Sequence, residues 1–158
     1  YTWKVLSERA EDLLIDVAVH AGDVSYAGTD TQIPLLNVSK DDEFEPLWDL
    51  YGQIHEPFTR RYPYQIGVGN HEAWYNWTAV THRYPMTHQS RQSFARVEER
   101  GVANPPFWYS FETGGIRFVM ISSEHDTSKD SPQHLFIVTS LKATNRTRTP
   151  WLIAVWHR

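Results

Sequence analysis

The sequence contains no cysteine. That one absence removes disulfide scaffolds, thiolate zinc sites and cysteine nucleophiles together, and leaves the compartment open. No apolar run is long enough to cross a bilayer as a helix, and no signal-peptide pattern is visible. Positive charge is not in excess. The 15 Lys and Arg against 19 Asp and Glu leave a net charge of −4, which argues against nucleic-acid binding through a basic surface. Internal repeats and low-complexity segments are also missing. What remains is a composition of the globular kind, 41% hydrophobic and 22% charged, rather than a disordered one. One domain is the expectation for 158 residues. The chain opens inside an amphipathic segment and stops one residue past a candidate ligand, so the expectation is a partial domain over 1–158.

The alternation of elements predicts a layered α/β domain. Trp3, Leu6, Ala10, Leu13 and Leu14 form one helical face within residues 1–16, opposite Glu8, Arg9, Glu11 and Asp12. A buried strand over 17–22 follows. Residues 27–43 are polar and turn-rich and read as a long surface loop. Phe44, Leu47, Trp48, Tyr51, Ile54 and Phe58 give a helical stripe over 44–58, and Pro63 precedes a second strand, 64–68. Residues 72–106 are the least regular and read as an excursion flanking the site, with one helix near 90–100. Gly114-Gly115 joins two β-runs into a hairpin, 107–112 and 116–122. Residues 133–145 predict a helix, although Ile137, Val138 and Thr139 oppose it by propensity. Pro150 leads into a last buried strand, 151–156.

Three of these strands end in polar donors. The first runs into His20-Ala21-Gly22-Asp23-Val24-Ser25-Tyr26, the second into Gly69-Asn70-His71-Glu72, and the third into His157. Open α/β sheets present ligands at their carboxyl edges, so these donors are expected to converge. Glycine before Asp23 permits a sharp turn or a close approach. Carboxylate, phenol, amide and imidazole together suit a hard or borderline cation such as zinc, manganese or iron. A carboxylate can bridge two such ions, and a metal pair clamps a phosphoryl group for in-line attack by metal-bound hydroxide. His71 could give a proton to a departing alkoxide. Each residue also has a structural reading. Asp23 could cap the next segment, Tyr26 could pack as surface, and Asn70 could occupy a left-handed turn.

In conjunction these blocks resemble the purple acid phosphatases, of the calcineurin-like metallophosphoesterases. Gly22-Asp23-Val24-Ser25-Tyr26, Gly69-Asn70-His71-Glu72 and Val155-Trp156-His157-Arg158 look like three of that family's five metal-binding blocks. Supporting blocks fall in the same order: Pro63-Tyr64 leading into Gly67-Val68-Gly69, Arg83-Tyr84-Pro85-Met86, Phe107-Trp108-Tyr109-Ser110-Phe111, and Ser122-Ser123-Glu124-His125-Asp126. Gly-Asp-x-x-Tyr narrows the match to the purple branch.

The resemblance implies a β-sandwich flanked by helices, incomplete at both ends. It implies an Fe(III) ion paired with a divalent Zn, Mn or Fe, and hydrolysis of phosphomonoesters. Asp23 would bridge the metals, Tyr26 would bind the ferric ion, Asn70 and His157 would bind the divalent one, and His71 would be catalytic. The family's Asp-x-Gly and Gly-His-x-His blocks do not occur in this sequence. The expectation is therefore a half-built dimetal site and an inactive isolated chain. The alternatives are a non-catalytic secreted glycoprotein of the same fold, with an aromatic-rich binding surface, or a related phosphodiesterase or pyrophosphatase.

His125 follows a strand and is a candidate for the substrate pocket. His20 reads as a core-edge residue turned away from the site, and His55 as structural. His82 and His88 are left undecided. Sequons at Asn37, Asn76 and Asn145 point toward N-glycosylation and an extracellular or vacuolar-lysosomal location. Three ordinary loop asparagines are the alternative. The expected partner is a phosphate ester, with no nucleic acid and no membrane. Oligomeric state is open.

Overall fold

The computed structural model describes residues 2–27, 44–84, 99 and 101–158. In chain order these form helix α1 (Thr2–Arg9), strand β1 (Ala18–Ala21), α2 (Phe44–Thr59), β2 (Tyr64–Gly67), a 3-10 helix (Asn70–Trp77) and α3 (Thr78–Arg83). The hairpin β3 (Tyr109–Thr113) and β4 (Ile116–Met120), then α4 (Pro132–Ala143) and β5 (Trp151–Val155), complete the order. Residues 28–43 of the predicted loop 27–43, the predicted helix near 90–100 apart from residue 99, Asn37, His88 and the Pro85-Met86 block lie outside the described residues.

Two sheets result. β1 and β2 pair in parallel, with Ala18 opposite Tyr64 and Ala21 opposite Gly67. The other sheet has the order β3-β4-β5, with β4 and β5 parallel. α2 and α4 are the crossovers of these two parallel pairs, as a parallel connection requires. The sheets meet where Tyr109, Phe111, Phe118 and Met120, joined by Val155 of their own sheet, pack with Val17 and Val19. The Tyr109 hydroxyl donates to the Ile66 carbonyl at 2.7 Å, tying one sheet to the other. The expected sandwich with flanking helices is therefore present.

The helices follow their sequence signals with informative exceptions. Residues 1–16 do not form one continuous helix. Helix α1 ends at Arg9, and a further turn closes with Leu14 in the left-handed region (φ 52°), the Ile15 N–H donating to Ala10 O and the Leu14 N–H to Glu11 O. That is a Schellman closure built without glycine, so the sequence carried no stop signal. Leu13 and Leu14 consequently face solvent. On α2 the inward stripe is Trp48, Tyr51, His55 and Phe58, and Ile54 is exposed. His55 is tolerated inside because its Nδ1 pairs with the Tyr51 carbonyl at 2.6 Å and its Nε2 with the Tyr84 hydroxyl at 2.9 Å. Helix α4 forms despite its β-branched run. Ser131 caps it by accepting from the His134 N–H, Pro132 opens it, and Phe136 is buried beneath it.

Other expectations need correction. Strands β1 and β5 are not buried strands; β1 is half-buried, and Trp151 and Ile153 of β5 are exposed. Among the described residues each has a paired neighbour on one side only. The segment after Glu72 is more regular than expected, with the 3-10 helix running directly into α3. The hairpin turn is as expected, since Gly114 and Gly115 both take positive φ (54° and 77°), the pair a two-residue I′ turn requires.

Arg117 on β4 is fully buried. Its Nη2 meets Glu99 Oε1 at 2.5 Å and its Nη1 meets Glu112 Oε1 at 2.6 Å. Ser110 Oγ donates to Glu99 Oε2 at 2.6 Å. Removing one member of such a buried pair strands the other charge. Arg117→Met is expected to lower unfolding stability by about 3–5 kcal/mol, read from urea melts.

Candidate metal centre

The carboxyl ends of β1, β2 and β5 meet at one edge. The chain leaves β1 through Gly22 (φ 84°), Asp23 (φ 53°) and, three residues on, Tyr26 (φ 55°). It leaves β2 through Val68 and Gly69. These two corners touch. A Cβ on Gly22 would stand 2.8 Å from the Gly69 nitrogen and 2.9 Å from His157 Cγ. A Cβ on Gly69 would stand 2.8 Å from the Asp23 nitrogen and 2.9 Å from His157 Cδ2. Both glycines are therefore close-approach residues, and backbone cannot yield to a side chain there.

Glu72 locks the corners together. Its Oε2 accepts from the Asp23 N–H at 2.8 Å and the Gly69 N–H at 2.7 Å, and its Oε1 accepts from the Val24 N–H at 2.7 Å. The side chain is buried. Burial pushes its carboxyl above the usual range, opposed by those N–H donors.

The clamp aims Asp23. Its Oδ1 accepts from the His71 N–H at 3.2 Å. Its Oδ2 lies 3.2 Å from His157 Nε2 and 3.8 Å from His71 Nε2. The Tyr26 ring lies 5.0 Å from the His71 ring, near the Asp23 carboxylate. The neighbouring carboxylate raises the Tyr26 pKa, so this phenol keeps its proton unless a cation offsets Asp23. Asn70, half-buried, opens the 3-10 helix beside His71. Four expected site residues thus meet directly, and Asn70 is adjacent to them.

The donor set fits a cation. His157 Nδ1 lies 2.9 Å from the Ala21 carbonyl. A carbonyl only accepts, so Nδ1 is the donor in this contact, and Nε2 is the nitrogen left facing Asp23. A second-sphere carbonyl of this kind commonly fixes a metal-binding histidine. Two ligands bound side by side on one ion, each at about 2.1 Å, stand about 3 Å apart, close to the 3.2 Å between His157 Nε2 and Asp23 Oδ2. His71 Nδ1 is buried without a hydrogen-bond partner among the described residues. The set is nonetheless partial, since no cluster of three His, Cys, Asp or Glu side chains suited to a metal occurs among the described residues.

The remaining histidines go elsewhere. His125 does not contact Asp23 or His71. Its ring lies between Trp77, Phe107 and Trp108 at 4.9, 4.7 and 5.4 Å, and its Nδ1 meets Ser122 Oγ at 2.8 Å. His20 turns from the site as expected and meets the Tyr64 hydroxyl at 2.7 Å. His82 is exposed on α3. Asn76 and Asn145 are exposed, and Asn145 Oδ1 accepts from the Thr147 N–H at 3.0 Å. The clamping role of Glu72 was missed from sequence. The available signal was an acid three residues after a strand-ending glycine.

Two sheets whose parallel strands deliver Asp23, Asn70-His71 and His157 to one edge make this a metallophosphoesterase fold. More narrowly, the chain is a relative of the purple acid phosphatases. It matches the structure of purple acid phosphatase PPD1 from yellow lupin (Lupinus luteus) seeds with a TM-score of 0.65 and 29% identity, over 99% of this chain and 25% of that one. Probable purple acid phosphatase 20 of Arabidopsis thaliana is 30% identical over 90% of this chain and 29% of its own length. Probable inactive purple acid phosphatase 9 of the same plant is 26% identical over 90% of this chain and 23% of its own. The chain thus spans less than a third of the curated relatives it matches. No family model matches it.

Glu72→Ala leaves three buried N–H groups without their acceptor. At about 1–3 kcal/mol for each buried unsatisfied group, the variant is expected to melt far earlier and to lose amide-exchange protection at Asp23, Val24 and Gly69. Unchanged protection there would refute the clamp.

Proposed function

We propose that this chain carries part of the dimetal centre of a purple acid phosphatase, which hydrolyses phosphomonoesters with an Fe(III) ion and a divalent Zn, Mn or Fe. The observation behind the reading is the approach of His157 Nε2 to Asp23 Oδ2 at 3.2 Å, with Nδ1 engaged by Ala21 O. When bound, the metal pair supplies a Lewis acid for the phosphoryl group and lowers the pKa of water.

The chain's own residues do the rest. Asp23 offers one oxygen toward His157 while the other is held by the His71 amide. Tyr26 sets its ring 5.0 Å from that of His71. His71 is the proton donor, its Nε2 standing 3.8 Å from Asp23 Oδ2. Asn70 provides an uncharged amide oxygen that leaves the net charge of the site unaltered.

The Asp-x-Gly and Gly-His-x-His blocks are not in this sequence. The isolated 158-residue chain is therefore proposed to be inactive. A non-catalytic glycoprotein is the second reading, prompted by the relative named probable inactive. The presence of Asp23, Tyr26, Asn70, His71 and His157 together favours the first, because a buried carboxylate such as Asp23 is costly to keep without a cation. Exposure of Asn76 and Asn145 supports glycosylation and secretion, which intact-mass analysis of protein from a eukaryotic host would test.

Two measurements test the centre in a chain extended by those two blocks. Asp23→Asn is expected to bring metal content from two equivalents to one or fewer, measured by elemental analysis; retained pairing would remove Asp23 as the bridge. Tyr26→Phe is expected to abolish the visible phenolate-to-iron absorption of the Fe(III)-loaded protein while its circular dichroism stays the same. A variant that keeps its colour would assign the phenolate elsewhere.

A further inference from the structure

The loop 122–126 touches both arms that carry the site histidines, although none of its residues reaches Asp23. On one side Glu124 grips Arg158, the neighbour of His157. Arg158 Nε donates to Glu124 Oε1 and Nη2 to Oε2, each at 3.2 Å. A two-pronged guanidinium–carboxylate pair restricts orientation as well as distance. On the other side His125 stacks on Trp77 at 4.9 Å and 30°. Trp77 is the last residue of the 3-10 helix that Asn70 and His71 open.

The loop between these contacts is braced. Gln133, a buried residue of the first turn of α4, holds Ser122 at both backbone groups, accepting from its N–H at 2.7 Å and donating to its carbonyl at 2.9 Å. Ser122 Oγ meets His125 Nδ1 at 2.8 Å and accepts from the Glu124 N–H at 3.3 Å. Asp126 accepts twice from Ser128, by backbone N–H and by hydroxyl. A segment held at this many points does not stretch to follow either arm.

We propose that the loop 122–126 is a strut that sets the separation of the Asn70-His71 arm from the His157 arm, with Glu124 and His125 as positioning residues. The inference rests on the metal-site reading of Asp23, Asn70 and His157. Its chemistry is indirect. Neither residue touches substrate or metal; Glu124 acts through Arg158 on the end of β5, and His125 acts through Trp77 on the 3-10 helix. The need for such a strut follows from β5, which has β4 alone beside it among the described residues.

The test reads the His157 tautomer and Co²⁺ affinity separately, both in the 158-residue protein. Imidazole ¹⁵N shifts of the wild type are expected to report a proton held on Nδ1, as its bond to Ala21 O requires. Glu124→Gln and the exposed-side variant Arg158→Met are expected to mix the two tautomers and to weaken Co²⁺ binding by about 10–100-fold. His125→Ala is expected to weaken Co²⁺ binding similarly, and His125→Phe, which keeps a ring against Trp77, to restore it. Arg158→Met breaks the same pair from solvent, so it decides the matter if Glu124→Gln fails to fold. Folded variants with the wild-type tautomer and Co²⁺ affinity would overturn the strut. A wild type that binds no Co²⁺ would reflect the partial ligand set, leaving the metal reading to the extended chain, and the tautomer would then decide the strut by itself.

Discussion

One carboxylate holds the site's geometry. Glu72 accepts from Asp23 and Val24 at one loop corner and from Gly69 at the other. Those N–H groups belong to chain that has left its strand and has no ladder partner, and buried backbone donors must be satisfied somewhere. Glu72 satisfies them and joins the corners in the same act. The left-handed backbone of Asp23 (φ 53°) is strained for a residue with a Cβ. It persists because the N–H on either side of that turn is fixed from Glu72.

Around this knot the fold needs little more than two parallel pairs brought face to face. The Tyr109 hydroxyl bound to Ile66 O sets the height of one sheet against the other. The stacked rings of Phe111 and Phe118, at 4.7 Å and 7°, fill the space beside it. β5 then reaches the site only at its end, where His157 finds Ala21 and Asp23. Precision at that end is supplied by side chains rather than by flanking strands, because burial of β5 is slight.

Much of the site could be read from the sequence because its residues lie where strands stop. Periodicity finds the strands and Gly-Asp or Gly-Asn marks the stops. Asp23, Tyr26, His71 and His157 were all legible in this way. Their supports were not. Glu72 bonds to residues nearly fifty positions away, and Arg117 finds Glu99 across the interior. Partners that distant leave no local pattern. Leu14 ends a helical turn in a conformation usually left to glycine, so the helix looked longer than it is. His125 looked like a pocket residue because it follows a strand. Three aromatic rings pack around it, and sequence order cannot reveal that.

The contact between Gly22 and Gly69 has a consequence for how such a chain can vary. A side chain on either glycine would need space already held by the main chain of the other corner and by His157. Drift at one corner cannot be absorbed by its neighbour, since what stands opposite is main chain. Point changes there are dead ends, reachable neither singly nor by stepwise compensation. Variation is thereby diverted to the solvent faces, such as the outer side of α2 at Leu50 and Ile54, where nothing opposes it. Descendants of this sequence would diverge widely on their helices and hardly at all in these two turns.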